Sequence, residues 1–219
     1  MEEPIEEEEW VAEEPIEEEE WVAQFWVAAS HQATEHDLLE SLAYPHPWVR
    51  AEAARNANAT ELVLAVAMQY LDPEVRTAAA FNPCIPEELL VTAMQDPDPR
   101  VRWAAASNSQ ADEEMLMMAL KDQDLRVRLA AASNREATRR VLGAAMQDSH
   151  PQVRAAAARN PRANDHLMLK ALQDPDPKVR TAVTRNLSVS EEILRVAEQD
   201  ADWNVRQAAT FARHSMEVF

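Results

Sequence analysis

The dipeptide Val-Arg recurs seven times at one fixed interval of 26 residues, at 49–50, 75–76, 101–102, 127–128, 153–154, 179–180 and 205–206. An asparagine stands six positions after each of the first six arginines: Asn56, Asn82, Asn108, Asn134, Asn160 and Asn186. Between them lie runs of small residues such as Ala104-Ala105-Ala106. Self-similarity at a fixed period marks a repeat array, in which each unit buries its apolar face against the next. One period earlier, Gln24 to Pro45 reads as a degenerate first unit, with Ser30 at the Asn position. The units fall near 25–45, 46–71, 72–97, 98–123, 124–149, 150–175, 176–201 and 202–219.

Each unit reads as two short helices. In the unit from 98, Asp98 is a natural N-cap and Pro99 a natural first helical residue. Val101, Ala104, Ala105 and Asn108 then share one face at helical spacing. Asn108 should close the helix, and asparagine is the best residue after glycine for a left-handed C-cap. The second helix starts near Asp112 and turns Met115, Leu116, Ala119 and Leu120 inward. The equivalent set in the last full unit is Ile193, Leu194, Ala197 and Glu198, a carboxylate suited to a partly wet end of the stack. Helices of about ten residues are marginal alone, so the units must stack. The expected fold is all-α: a right-handed α-solenoid of about seven 26-residue two-helix repeats.

Composition narrows the function. The one glycine, Gly143, leaves nothing for a phosphate-cradling loop or a dinucleotide fingerprint, and speaks against a β-fold rich in tight turns. One cysteine, Cys84, excludes an intramolecular disulfide framework and a Cys-cluster metal site. The histidines show no ligand spacing. His46 and His150 stand where other units have the N-cap Asp and read as caps. No metal, cofactor or catalytic constellation is expected, and the chain reads as non-enzymatic. It has no long apolar run and no basic-then-apolar leader, so it is expected to be cytoplasmic, away from membranes.

The net charge is −18, and it is unevenly placed. Residues 1–24 hold twelve Glu and no Lys or Arg, which leaves −6 for residues 25–219. The first segment is expected to be a disordered or helical extension. It is also a perfect tandem duplication: Glu-Glu-Pro-Ile-Glu-Glu-Glu-Glu-Trp-Val-Ala occupies 2–12 and again 13–23. Two readings stand side by side, a copying slippage tolerated at a terminus and a doubled acidic–aromatic binding motif centred on Trp10 and Trp21.

The stretch Asp-Pro-Asp-Pro-Arg-Val-Arg-Trp-Ala-Ala-Ala-Ser-Asn at 96–108 resembles two related families, the HEAT-like repeat and the leucine-rich repeat variant. The short unit and the Asn-ended helix favour the variant family, and the resemblance spans about 25–219. Some of its members carry an iron–sulfur cluster, which this chain lacks the cysteines to hold. The HEAT resemblance implies a ladder of paired Asp and Arg: Asp96 with Arg102, Asp122 with Arg128, Asp148 with Arg154, Asp174 with Arg180 and Asp200 with Arg206. Tyr44 and Tyr70 take the Asp position in the first two units, where the ladder should be incomplete.

If what repeats is scaffold, function belongs where the units differ and face solvent. On the Val-Arg helix those positions are equivalent to 100, 103 and 107, and the HEAT resemblance places them on the concave side. The three rows contain the cations Arg55, Arg100, Arg126, Arg159, Lys178 and Arg185, the aromatics Trp48, Phe81, Trp103 and Phe211, and the single acid Glu74. The candidate binding residues are Trp48, Arg55, Phe81, Arg100, Trp103, Arg126, Arg159, Lys178 and Arg185, with Trp10 and Trp21 from the acidic segment. Arg and Trp are frequent interface anchors. The expected role is an interaction scaffold that takes a protein or peptide, acidic or extended, into a basic and aromatic groove. Regulation by the acidic segment is an added possibility. Two alternatives stand beside it. Some HEAT-like DNA-repair glycosylases bind DNA on such a face, though the net charge of −18 and only six stripe cations oppose a nucleic-acid partner. In the other, the acidic segment imitates nucleic acid or an acidic peptide and occupies a basic partner.

Overall fold

The computed structural model describes residues 18–217. Residues 1–17, with Trp10 and the first copy of the duplication, lie outside the described residues. Within them are fifteen helices and no strand. The Val-Arg helices are α3 (Pro47–Arg55), α5 (Pro73–Phe81), α7 (Pro99–Ser107), α9 (Leu125–Ser133), α11 (Pro151–Arg159), α13 (Pro177–Thr184) and α15 (Trp203–Glu217), preceded by α1 (Glu18–Ala29). Alternating with them are α2 (Glu35–Ala43), α4 (Glu61–Ala67), α6 (Glu87–Met94), α8 (Glu113–Ala119), α10 (Arg139–Ala145), α12 (Asp165–Ala171) and α14 (Glu191–Ala197). The protein is an all-α solenoid of 26-residue units. The helix α1 starts inside the acidic segment, so the second copy of the duplication runs into the first helix of the stack.

The caps follow from sequence. Asp98, Asp124 and Asp176 accept the N–H two residues on, at 2.7–2.8 Å. His150 does the same through Nδ1 at 3.3 Å. His46 does not cap: its ring lies flat against Trp21 instead, with centroids 4.3 Å apart.

The core is one continuous strip. Leu38, Leu64, Leu90, Leu116, Leu142, Met168 and Leu194, one from each second helix, are fully buried beside Val49, Val75 and Val101. Alanines fill the contacts between neighbouring Val-Arg helices, which pack closely in succession, whereas successive second helices barely touch. Stacking with one row of helices close and the other spread curves the array, and places the Val-Arg helices on its concave side.

The asparagines behave differently from the left-handed caps expected. No described non-glycine residue has positive φ, nor does Gly143. Asn108 is extended (φ −67°, ψ 140°), and its work is done by the side chain. The amide Nδ2 donates to the carbonyls of Ala80 (2.9 Å) and Asn82 (3.0 Å) in the preceding unit, and Oδ1 accepts from Gln110 N–H at 2.9 Å. The same triplet recurs at Asn56, Asn82, Asn134, Asn160 and Asn186. All six are buried. The last carbonyls of a helix have no partner within it, and here the next unit's asparagine supplies one. A left-handed cap satisfies carbonyls of its own helix. This one reaches across to the neighbour's, so extended backbone is sufficient and glycine is not required.

The ends fit the scheme. Ser30 Oγ accepts from Gln32 N–H at 3.1 Å, the half of the asparagine's role that needs no earlier unit. Ala212 stands at the Asn position of the last unit, and α15 runs on through it to Glu217. Glu198, at the outermost core position, is half-buried and accepts from Arg213 at 2.8 Å.

The arginine ladder is present, in a different register from the pairing that the resemblance implied. Arg102 gives its Nε and Nη2 to Asp122 of the following unit (2.6 and 2.9 Å), and only Nη1 to the backbone carbonyls of Asp96 and Pro97 (2.8 and 3.0 Å). Asp96 itself receives Arg76 at 2.7 and 3.0 Å. The pairs are thus Arg76–Asp96, Arg102–Asp122, Arg128–Asp148, Arg154–Asp174 and Arg180–Asp200. The reason is the guanidinium's shape: one edge is taken by carbonyls five and six residues back, so the other faces the neighbour. The incompleteness expected at the tyrosines holds. Arg50 lies over the Tyr70 ring, 5.7 Å from its centroid, in place of a carboxylate.

Candidate partner-binding groove

The face formed by positions equivalent to 100, 103 and 107 is a trough of connected hollows. Thr77, Arg100, Trp103 and Arg126 line the first, of about 320 Å³. Trp103, Arg126, Leu129 and Ser133 line the next, of about 460 Å³. Leu129, Ser133, Arg159, Lys178 and Arg185 line a third, of about 340 Å³, and Arg185 and Phe211 share a fourth. Each hollow shares a residue with its neighbour, so the surface continues from α5 to α15.

Two aromatic groups anchor it. Phe81 and Trp103 come from adjacent units and stack with centroids 5.8 Å apart and planes at 24°. They remain 51% and 39% exposed, a large apolar area left in water. At the N-terminal end, Trp48 meets Trp21 edge to face at 5.7 Å and His46 at 5.5 Å. Trp21 is therefore built into the stack beside the head of the groove.

The cations divide into two groups that the sequence stripe did not separate. Arg100 is held by Asp98 at 2.9 Å, Arg126 by Asp124 at 2.8 Å and Arg55 by Glu52 at 3.3 Å. The hydrogen bond from Arg100 brings Asp98 down to about 2, and Arg126 does the same to Asp124. These three arginines come with their own counter-charge. Arg159, Lys178 and Arg185 are exposed and have no ion pair among the described residues. The basic character of the groove is concentrated in α11 and α13, with the aromatic stack two to three helices away. Trp48, Arg55 and Phe81 are not among the residues lining the connected hollows, and Phe81 borders them through its stack on Trp103.

One residue was missed from sequence. Arg135 lines the central hollow, but it follows Asn134 and so falls outside the helical rows. The offset one beyond each asparagine was the available signal. Among the described residues no group of three His, Cys, Asp or Glu could hold a metal ion, and no helix is long and apolar enough to cross a membrane.

The fold and this face define a helical-repeat protein whose units are held together from one to the next. The chain matches no family model and no curated protein. Among solved structures it is similar to one described as a leucine-rich repeat variant with a novel repetitive structural motif, at 27% identity over 85% of this chain and 84% of that one, with a TM-score of 0.43. It is also similar to two engineered proteins. One shows 18% identity over 94% of this chain and 76% of that one, with a TM-score of 0.42. The other shows 20% identity over 90% of each, with a TM-score of 0.27.

Proposed function

We propose that the protein is a non-catalytic scaffold that binds an extended, acidic protein segment along the concave trough. One observation carries this reading: an exposed aromatic stack, Phe81–Trp103, shares a continuous trough with four cations that have no ion pair among the described residues, Arg135, Arg159, Lys178 and Arg185, in a chain whose net charge is −18. An aromatic surface supplies apolar area at small entropic cost, and unpaired cations steer and orient an anionic partner. A nucleic acid would need a denser cationic track.

The test is selection from a displayed random-peptide library on the full chain. Enriched sequences should combine an aromatic or aliphatic anchor with acidic residues, and should lose binding to Trp103→Ala and to the triple variant R159A/K178A/R185A. Enrichment indifferent to both variants would overturn the reading, and tight binding of a single-stranded oligonucleotide at physiological salt would redirect it. The acidic N-terminal segment is the proposed regulator of the same groove.

A further inference from the structure

Resting on that reading, we propose that residues 2–12, the first copy of the duplicated segment, occupy the groove of their own chain. In this arrangement Trp10 lies against the Phe81–Trp103 stack, and Glu2 and Glu3 lie among Arg159, Lys178 and Arg185.

The two copies are identical but followed by different residues, and that difference assigns them different places. After the second copy come Gln24, Phe25 and Ala28. Gln24 Nε2 donates to Ser41 Oγ at 2.9 Å, Phe25 packs on the core and Ala28 is fully buried. At the same offsets after the first copy stand Glu13, Glu14 and Glu17. A glutamate in place of fully buried Ala28 would be an unpaired charge in the core. The first copy therefore cannot dock as α1 does, and the register of α1 is fixed by the second.

Reach fits the groove in both directions. Helices packed side by side lie about 8–10 Å apart. The eight residues from Glu18, where α1 starts, back to Trp10 reach at most about 27 Å, about three helix spacings. Three spacings lead from α1 to α7, which carries Trp103. The eight residues from Trp10 to Glu2 reach as far again, and three further spacings lead to α13, which carries Lys178 and is capped by Arg185. The start of the path is also set: Trp21, eleven residues after Trp10, is stacked against His46 and Trp48 at the groove's head.

Charge favours the same occupant. Residues 2–12 contain six Glu and no base, and the trough offers Arg135, Arg159, Lys178 and Arg185, none with an ion pair among the described residues. A tethered segment has an effective concentration of about millimolar, enough to hold a groove of modest affinity against dilute competitors. The arm acts as a built-in competitor, so a partner must displace it.

The experiment compares the full chain with one lacking residues 2–12. Because the copies are identical, that deletion leaves the same sequence as removing 13–23, and the start of α1 stays intact. The probe is a fluorescein-labelled synthetic peptide of residues 2–12, followed by anisotropy. The peptide should bind the shortened chain at least tenfold more tightly than the full chain. Binding should weaken with salt and disappear in shortened chains carrying W103A or R159A/K178A/R185A, with their folding confirmed by circular dichroism. Equal binding to the full and shortened chains, or no binding to the shortened one, overturns the arm. If equal binding is still lost in the groove variants, the scaffold reading survives; if those variants change nothing, that reading falls too. A full chain that sediments as a dimer while the shortened chain is a monomer places the arm in a second copy, against the proposal.

Discussion

At the seams between units, an asparagine repeats with nearly the same geometry after each Val-Arg helix from α3 to α13, and an arginine–aspartate pair from α5 to α13. On the groove face, no row keeps one residue for more than two successive units: Trp48, Glu74, Arg100, Arg126, Gln152, Lys178 and Asn204 make up the first. The two regions are carried by the same helices, so helix propensity does not separate them. What separates them is reciprocity. A seam asparagine satisfies carbonyls of the unit before it while its own carbonyl receives the unit after it, so a change at one position orphans groups in another. A residue on the face answers only to solvent or a partner and is free to differ.

Variants break this comparison in a definite order. Asn134→Ala should be the most damaging, because it removes three hydrogen bonds, two of them buried, and takes from the Ala106 carbonyl its donor, for about 3 kcal/mol at roughly 1 kcal/mol per bond. Ser30→Ala, which loses one exposed bond, should cost under about 1 kcal/mol. Urea unfolding of the two variants measures the difference.

Arg128→Ala should come next, at about 2 kcal/mol, since it takes the guanidinium from the half-buried Asp148 and leaves that carboxylate only the His150 N–H. Arg50→Ala should cost about half as much, because that arginine has a ring and two carbonyls but no carboxylate. Equal losses would show that the ladder's carboxylates contribute nothing.

Acid should act on both regions. The Arg180 guanidinium lowers the Asp200 carboxyl, and on the face Asp98 and Asp124 lie at about 2, below the ordinary 3.8. Their folded pKa is depressed, so their contribution is full above about pH 4 and is lost as pH falls toward 2. Arg100→Ala with Arg126→Ala should move the Asp98 and Asp124 midpoints back toward 3.8, as read by NMR titration, with little change in melting temperature because the pairs are at the surface.

W103A should cost about 1 kcal/mol, the worth of its stack with Phe81. Its larger effect is expected on peptide affinity, at tenfold or more.

The period, the helix pairs and the N-caps were legible in the sequence because they depend on contacts within about four residues. The seam chemistry was only half legible. Six asparagines at one spacing announce a role, but a local rule for helix ends points to a left-handed cap, and nothing local reveals that Nδ2 serves the unit 26 residues back. Likewise Asp96 and Arg102 are near in sequence, and the register Arg76–Asp96 appears only when the stack fixes which edge of the guanidinium is free. On the face, the rows were readable from helical spacing. The split of the cations was hidden, since whether an N-cap such as Asp98 also holds the arginine two residues later depends on a rotamer. His46 shows the same limit: at a cap position it serves as a stacking surface for Trp21.

The account rests on the claim that what repeats holds the stack and what varies binds. Its most direct test is the R159A/K178A/R185A variant in the chain lacking residues 2–12, with urea midpoint and affinity for the labelled 2–12 peptide measured on the same preparation. The account predicts an unchanged midpoint and affinity lowered at least tenfold. A lowered midpoint with unchanged affinity would contradict it.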